Sequence, residues 1–376
     1  PLFHDLYHQF HKNLTCLENN ENVLIRSLLR IMASRPTIVH VAKEAGLSKA
    51  TVARVLNQQT DISVRKETRL RVQSAAESLG YVPNKLAASL RSSRTNNIAI
   101  SISDISNPFF PELVRGAQDT LSKRGYNMII FNNDWDQETE REQFNVIKRT
   151  LVDGVILAPS RLDLDLSCLG TIPVIILGNS DAYPSYDSIG NNSRAGVELA
   201  FERLHSLKHR RIGLVLGGSS KLETSAWRIQ IYRDFHQRHG VRLDENLVAR
   251  CKFTVRASDS FIMARDPIER LLKLERRPTA IFASNDILAL SVLQVANELG
   301  IAVPNELSVI GMGDVFAASA SSPPLTTICK QRYKLGELAA ERLLDLLSCP
   351  GTVAQKTPLR IRLACKLIER GTTSSL

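Results

Sequence analysis

Residues 41–57 read VAKEAGLSKATVARVLN, and this stretch decides the fold of the N-terminal part of the chain. Apolar residues recur with helical spacing before Gly46 and again after Ser48, namely Val41, Ala42, Ala45, Val52, Val55 and Leu56. Gly46 supplies a turn, and Ser48 is a favourable N-cap for the helix that follows it. The stretch therefore predicts two short helices joined by a tight turn.

A third helix is predicted downstream of this pair. Val72, Ala76 and Leu79 lie at positions i, i+4 and i+7, and Gly80 follows as a helix-terminating residue. Two short helices joined by a glycine-containing turn and supported by a third helix form a helix-turn-helix arrangement.

Positive charge is concentrated around this motif. The chain of 376 residues has a net charge of +10. Residues 35–97 contain eleven Lys or Arg against four Asp or Glu, so +7 of that charge lies in this segment. Such a block is typical of proteins that bind a polyanion, either nucleic acid or anionic lipid. No apolar run approaches the length of a membrane span, so we expect a nucleic-acid partner and no membrane.

Residues 41–57 and the later run TRLRVQSAAESLGYVPNKLAASLR (68–91) resemble the headpiece of the lactose/purine/ribose repressor family of bacterial transcriptional regulators. The resemblance implies a sequence-specific regulator that binds double-stranded, near-palindromic operator DNA as a homodimer. It also implies a hinge helix that starts at Pro83, folds only on DNA, and wedges Leu90 into the minor groove. A helix this short is marginal alone in water, which suits folding on DNA.

Two alternatives stand beside this interpretation. The N-terminal helices could form a basic three-helix bundle with no DNA-binding role, and residues 84–96 could be an ordinary interdomain linker.

The candidates for DNA contact are side chains that project away from the apolar helix faces. Lys49 and Arg54 can donate hydrogen bonds to guanine, and the Ala50 methyl can meet a thymine methyl. Arg91 is better placed to contact phosphate. The full set of expected DNA-binding residues is Thr37, Ser48, Lys49, Ala50, Thr51, Arg54, Asn57, Asn84, Lys85, Ala87, Leu90 and Arg91.

From residue 97 onward, apolar strand-like runs alternate with helical segments. Strands are predicted first at 98–103, 127–132, 154–159 and 173–177, and then at 211–217, 280–284 and 307–312. This alternation predicts an α/β fold with parallel, doubly wound sheets, and two successive sets predict two lobes. Ligands of such folds bind at the carboxyl ends of the strands, in the cleft between the lobes.

This portion resembles the core of the same repressors and the related periplasmic sugar-binding proteins. The resemblance is carried by DISNPFFPELVRGAQ (104–118), PPLTTI (323–328) and the closing LIERGTT. The expected domains are an extension at 1–34 (non-native or disordered), the all-α headpiece at 35–83, the hinge helix and linker at 84–96, and a two-lobed effector-binding and dimerisation domain at 97–372. No heptad pattern follows Arg370, so we expect a dimer and not a tetramer.

The resemblance also implies an effector site. Phe109 and Phe110 fall where relatives place aromatic walls for a sugar ring, and Arg228 falls at the position of a ligand-clamping arginine. The expected effector-binding residues are Asn107, Phe109, Phe110, Asn179, Arg228, Asn285 and Lys330. The two phenylalanines could instead be core residues, and Arg228 could be a surface or lobe-bridging residue.

Two positions depart from the family pattern. Gly178 and Gly313 stand where relatives commonly have aspartates that bind sugar hydroxyls. Carboxylates accept hydrogen bonds from such hydroxyls in pairs, so their loss argues against a simple neutral sugar. Because Arg228 and Lys330 leave the cleft more positive, a phosphorylated sugar, a sugar acid or another carboxylate becomes the expected effector.

Two further classes of protein were weighed. LGGSSK (216–221) could cradle phosphate after a strand, but it matches neither G-x-G-x-x-G nor G-x-x-x-x-G-K-[ST]. No G-x-S-x-G or H-E-x-x-H motif is present, so we expect neither an enzyme nor a cofactor. A periplasmic binding protein is disfavoured by the headpiece and by the absence of a secretory signal pattern.

Metal sites and disulfides are not expected. The six cysteines form no C-x-x-C pair and no zinc-ligand spacing with histidine, which is typical of unpaired thiols in a reducing compartment. His4, His8 and His11 have helical spacing, but they lie in the expected extension. We therefore expect a cytoplasmic protein.

Overall fold

The structure is a computed structural model that describes residues 36–56, 64–82, 94–160, 164–178, 181–218, 226–252, 257–348 and 357–376. The chain divides into two compact units, Pro1–Ser93 and Arg94–Leu376. The expected extension at 1–34 and the hinge-helix sequence from Pro83 to residue 93 lie outside the described residues.

The described residues of the first unit form three helices, α1 (Ile38–Glu44), α2 (Lys49–Leu56) and α3 (Lys66–Ser78). Each helix buries an apolar stripe, and Val41, Val52 and Val72 have no exposed surface. These stripes meet in one small core. The predicted helix-turn-helix arrangement is confirmed.

The turn between α1 and α2 depends on Gly46. Its φ of +61° is a left-handed conformation that glycine adopts without steric cost. The Leu47 backbone N–H donates to the Ala42 carbonyl at 3.0 Å, which closes the end of α1. Arg71 of α3 donates from Nη2 to the Ala45 carbonyl at 2.5 Å. The turn is therefore held from within and from α3, and it sets the direction in which α2 leaves.

The second unit contains two six-stranded sheets. The first sheet comprises β1 (Asn97–Ile102), β2 (Asn127–Asn132), β3 (Gly154–Leu157), β4 (Val174–Leu177), β5 (Asp187–Asn191) and β11 (Arg360–Leu363). The second comprises β6 (Ile212–Gly218), β7 (Val248–Lys252), β8 (Ala280–Ala283), β9 (Ser308–Gly313), β10 (Thr326–Cys329) and β12 (Lys366–Ile368).

The two sheets have matching strand orders, β11-β5-β4-β3-β1-β2 and β12-β10-β9-β8-β6-β7. All neighbouring strands are parallel except β10 and β12, which are antiparallel. In each sheet the order reverses beside the first strand, which is the doubly wound pattern. The predicted two-lobed α/β fold is confirmed.

Helices cover both faces of each sheet. They are α4 (Phe109–Lys123), α5 (Gln137–Arg149), α6 (Ser193–Ser206), α7 (Ala226–Arg238), α8 (Ala257–Met263), α9 (Arg265–Leu272), α10 (Asp286–Glu298), α11 (Phe316–Ala320) and α12 (Arg332–Ser348). In the first lobe, Ile98 and Ile100 of β1 pack with α4 and α12, while Ala99 packs with α5 on the opposite face. Alternate side chains of one strand thus enter two cores.

The two predicted sets of strands lie in separate sheets, but the chain then returns to the first lobe, which the sequence pattern did not predict. After β10 of the second sheet, α12 and β11 return to the first lobe, and β12 then joins the second sheet. Among the described residues, β5, β7, β10, β11 and β12 are strands that the sequence pattern did not predict. Their sequences are short or rich in polar residues, so they lack the continuous apolar run of a central strand.

Helices α4 and α12 approach closely because each carries a glycine at the crossing. A Cβ added at Gly116 would lie 2.1 Å from the Tyr333 carbonyl oxygen, and one at Gly336 would lie 1.9 Å from the Leu113 carbonyl oxygen. No larger side chain fits at either position without moving a backbone. Among the described residues, no helix combines the length and apolar character needed to span a membrane.

Candidate functional site

The outer face of α2 presents the residues predicted to read DNA bases. Lys49, Ala50 and Arg54 are exposed, whereas Val52 and Val55 on the opposite face are buried. Because the buried face anchors α2 against α1 and α3, the exposed face is held outward as a rigid surface. Its size and two cationic side chains suit the major groove of DNA.

Hydrogen bonds at the starts of the helices account for two further predicted residues. Ser48 accepts a hydrogen bond at Oγ from the Thr51 backbone N–H at 3.1 Å, which confirms it as the N-cap of α2. Thr37 precedes α1, is exposed, and donates its backbone N–H to Nδ1 of His40 at 3.1 Å. DNA contact by Thr37, Ser48 and Thr51 remains a prediction.

Seven predicted site residues lie outside the described residues, namely Asn57, Asn84, Lys85, Ala87, Leu90, Arg91 and Asn179. The roles expected for them remain predictions.

The second unit contains a cavity of about 510 Å³ at the carboxyl ends of the strands of the first sheet. Ser103 follows β1, Ala158 follows β3, Gly178 follows β4, and Asn191 ends β5, and all four line the cavity. This edge of a doubly wound sheet is where such folds bind ligands. The volume falls within the range of roughly 300–1,000 Å³ that is usual for small-molecule sites.

Aromatic side chains form much of the cavity wall. Phe109 and Phe110 begin α4, line the cavity as predicted, and pack edge to face with their ring centroids 5.3 Å apart. Trp135 and Trp227 also line it, and Trp227 belongs to α7 of the second lobe. A ligand here would contact side chains from both lobes, which the sequence predicted for the cleft.

Lys330 projects a half-buried cation into this cavity. Its Nζ lies 5.4 Å from the centre of the Phe109 ring. Burial, reinforced by the nearby charge of Arg228, lowers the pKa of Lys330 to about 8. Both effects oppose protonation, burial by removing the charged amine from water and Arg228 by placing another cation near it.

Arg228 is placed behind the aromatic wall and is not part of the cavity lining. Its guanidinium lies over the Trp227 ring at 4.2 Å from the ring centre, and burial lowers its pKa to about 10. Arg194, which does line the cavity, also lies over this ring at 5.5 Å. Arg228 thus supports the wall beside the cavity, and its predicted contact with an effector is not tested by this geometry.

Two of the predicted asparagines accept hydrogen bonds from backbone N–H groups at the starts of helices. Asn107 accepts a hydrogen bond at Oδ1 from the Phe109 backbone N–H at 3.0 Å, and Asn285 accepts one from the Leu288 N–H at 2.9 Å. Neither residue lines the cavity. Asn285 is the N-cap of α10, whereas Asn107 precedes the N-cap of α4 and closes the turn that leads into this helix.

The two glycines that depart from the family pattern differ in their surroundings. Gly178 lines the cavity and has a φ of +97°, which L side chains rarely adopt. Gly313 has a φ of +143°, and a Cβ there would lie 3.2 Å from Oδ2 of Asp286. Asp286 is itself buried and accepts hydrogen bonds from Thr327 Oγ1 at 2.5 Å and the Val315 N–H at 2.8 Å. Only Gly178 therefore changes the chemistry of the cavity wall.

Several cavity residues were not predicted from the sequence, namely Trp135, Asp181, Arg194, Trp227 and Arg362. Trp227 directly precedes Arg228 in the chain, so the expectation that Arg228 binds the effector identified a segment that does line the cavity. Arg194 lies in the first turn of α6, whose N-cap Asn192 accepts from the Ala195 N–H at 3.2 Å. No local pattern identifies the other three, because their positions depend on how distant segments meet.

The chain crosses between the lobes in three places, at 191–193, 329–332 and 363–366. The crossings are hydrogen-bonded to one another. Asn191 donates from Nδ2 to the Lys330 carbonyl at 2.7 Å, and Gln331 donates from Nε2 to the Ala364 carbonyl at 2.7 Å. Arg332 contacts both lobes, since it donates to the Pro108 carbonyl at 2.8 Å and to the Asp314 carbonyl. Lys330 therefore lies in one of the three crossings between the lobes.

One cluster of potential metal ligands occurs in the described part of the chain, away from the cavity lining. It comprises Glu202, His205 and His239. Glu202 lies 3.0 Å from His239 Nε2 and 3.4 Å from Arg238 Nη1. The arginine already neutralises this carboxylate, so the cluster is best described as an ion-pair network that joins α6 to the end of α7.

Comparison with known proteins identifies the family. Residues 37–84 match the sequence profile of "Bacterial regulatory proteins, lacI family", and residues 201–373 match "Periplasmic binding protein-like domain". The HTH-type transcriptional regulator DegA of Bacillus subtilis is 35% identical over 82% of this chain and 89% of DegA. The HTH-type transcriptional repressor CytR of Escherichia coli is 31% identical over 90% of this chain and 97% of CytR. The chain belongs to the LacI family.

Solved structures of transcriptional regulators share this architecture. The Lac repressor dimer bound to operator and the anti-inducer ONPF has a TM-score of 0.76 at 25% identity, covering 90% of this chain and 99% of that one. A complex of the transcriptional regulator CelR with cellobiose has a TM-score of 0.64 at 26% identity, covering 90% and 100%. This LacI-family chain is thus a DNA-binding transcriptional regulator and not an enzyme.

Proposed function

We propose that this chain is a cytoplasmic repressor that binds near-palindromic operator DNA as a homodimer and is controlled by a small molecule in the cavity. The exposed face of α2 carries the DNA-binding part of the proposal. The Lac repressor binds its operator as a dimer, and CelR binds cellobiose. By likeness to these proteins, this chain would bind a sugar-derived effector. The cations that line the cavity would also accommodate an anionic one.

Base reading is assigned to three residues of α2. Lys49 and Arg54 would donate to guanine O6 or N7, and the Ala50 methyl would meet a thymine methyl. Arg71 is excluded from this role although it is basic, because its guanidinium is bound to the Ala45 carbonyl of the turn. Each base contact of this kind contributes roughly 1–3 kcal/mol of discrimination at its own base pair.

Control by the effector follows from the position of the cavity beside the crossings. A ligand that contacts Phe109 in one lobe and Trp227 in the other favours one arrangement of the lobes, and only such a difference in affinity shifts the equilibrium. β1 is the first strand after the predicted hinge segment, so a change in the first lobe reaches the hinge through the chain itself. Coupling of this kind typically amounts to about 1–3 kcal/mol, or roughly five- to 150-fold in DNA affinity.

The substitution Arg54→Ala tests the DNA-binding face. The operator would first be selected from a random duplex pool with the full-length protein, and binding would then be measured by gel shift on the selected and on scrambled DNA. Arg54→Ala should weaken binding to the selected site and relax its preference at one base pair. Arg141→Ala, which removes an equal charge from the exposed surface of α5, is the control and should bind normally.

Equal weakening of Arg54→Ala on selected and scrambled DNA would reassign Arg54 to phosphate contact. Failure of the unaltered protein to select any preferred sequence would overturn the proposed function.

A further inference from the structure

The charged side chains that line the cavity are unbalanced. Among the described residues, the lining contains three cations, Arg194, Lys330 and Arg362, and one carboxylate, Asp181. The Asp181 side chain is 82% exposed and lies 3.6 Å from Arg360, so solvent and that arginine already surround it. Arg194 and Arg362 are exposed as well, so Lys330 is the charged lining residue that is most shielded from water.

Among these cations, Lys330 is the one whose charge is least stabilised by its surroundings. In the part of the chain that the structure describes, no carboxylate lies within ion-pair distance of its Nζ, and its nearest favourable contact is the face of the Phe109 ring. A cation–π contact stabilises an ammonium far less than a hydrogen-bonded anion does. The neighbouring charge of Arg228 makes the position still less favourable.

The residues around Lys330 do not supply an anionic partner for its ammonium group. The groups that act electrostatically on it are Arg228 of α7, Cys365 of the third crossing and Asp286 of α10. The Asp286 carboxylate already accepts hydrogen bonds from Thr327 and from the Val315 N–H, so it is not available to the amine. Gly178 also lines the cavity, and it contributes no side chain that could pair with the amine.

We infer that the effector carries an acidic group, a phosphate ester or a carboxylate, which binds Lys330 while the rest of the molecule lies between Phe109 and Trp227. This inference rests on the proposed function, since it names the chemical class of the ligand of the same cavity. The acidic group would sit at the crossings between the lobes, where Asn191 holds the Lys330 carbonyl. Recognition of the charge and movement of the lobes are then coupled through one residue.

The first test uses inorganic sulfate as the probe on the full-length protein. Lysines are acetylated at pH 8 with a neutral N-hydroxysuccinimide ester, in sodium sulfate or in sodium chloride of equal ionic strength, and quantified by peptide mass spectrometry. A bound anion favours the protonated amine, so sulfate should slow acetylation of Lys330 by about tenfold or more. Lys366, which is exposed on β12, is the internal control and should react equally in both salts. Equal reaction of Lys330 in the two salts overturns the inference.

The second test distinguishes the sources of the acidic group. Thermal shifts are compared for ribose with ribose 5-phosphate and for glucose with gluconate, in the unaltered protein, in Lys330→Gln and in Lys330→Arg. The acidic member of a pair should raise Tm in the unaltered protein and in Lys330→Arg, and should lose its effect in Lys330→Gln. Lys366→Gln is the charge-matched control.

A neutral sugar that raises Tm equally in the unaltered protein and in Lys330→Gln would overturn the inference. The proposed function would survive that result, because operator selection and the Arg54→Ala gel shift do not depend on the effector.

Discussion

Raising the pH from 7 to 9 should weaken anion binding in the cavity through a single residue, Lys330. Its pKa in the ligand-free protein is about 8, because burial and the charge of Arg228 oppose protonation. A bound dianion such as sulfate favours the protonated amine and moves this pKa back toward its ordinary value of 10.5. Below pH 8 the lysine is already protonated, so affinity is constant there.

Above pH 8, binding must first return a proton to Lys330. Affinity then falls by up to tenfold for each pH unit, which gives about tenfold weaker binding at pH 9 than at pH 7. Neighbouring groups do not reproduce this change. Arg228 has a pKa of about 10 and stays mainly charged, and burial raises the pKa of the Cys365 thiol above its ordinary 9.0. Sulfate itself does not titrate in this range.

Calorimetric titration with sodium sulfate at constant ionic strength measures the effect. Lys330→Arg is the matched variant, since a guanidinium stays protonated throughout and should give an affinity that is nearly independent of pH. Lys330→Gln should not bind sulfate at any pH. The reasoning is refuted if the unaltered protein binds equally at pH 7 and pH 9, or if Lys330→Arg shows the same decline.

Three other substitutions test different parts of the molecule. Gly336→Ala places a Cβ against the Leu113 carbonyl and should destabilise the second unit by about 3 kcal/mol or more in urea denaturation; an unchanged midpoint would contradict the close helix contact. Arg71→Met removes a charged donor from the turn and should cost the headpiece about 1–3 kcal/mol, whereas Lys66→Met on the same helix should cost little. Leu90→Ala should weaken binding to a selected operator far more than to scrambled DNA in a gel shift, and equal loss on both would count against the minor-groove wedge.

The headpiece was predictable because its signals are local. Gly46 permits a left-handed turn, Ser48 caps the next helix, and the apolar spacing on each side marks the buried faces. All these contacts join residues close in sequence, except the bond from Arg71 to the turn. That arginine was counted with the DNA-facing charge, and only the packing of α3 shows that it has a structural role.

The strands with continuous apolar runs were also predictable, since such runs are typical of strands buried on two faces. The internal strands β5 and β10 and the edge strands β7, β11 and β12 were not predicted, because they lack such runs. β11 has the sequence Arg-Ile-Arg-Leu with alternating exposure, and it joins the first sheet only because the chain crosses back beside β5. Four alternating residues are too few to predict a strand, and the partner strand is set by contacts between segments far apart in sequence.

The sequence by itself determined the family of folds, the DNA-binding helix, and the segment that holds Phe109 and Phe110. Only the tertiary structure decided which charges meet. Lys330 was expected in the effector site from the sequence, but its chemistry depends on Phe109, Arg228 and the crossings that surround it. Electrostatic energy depends on distance and burial, and both are fixed by contacts between lobes that are interleaved along the chain.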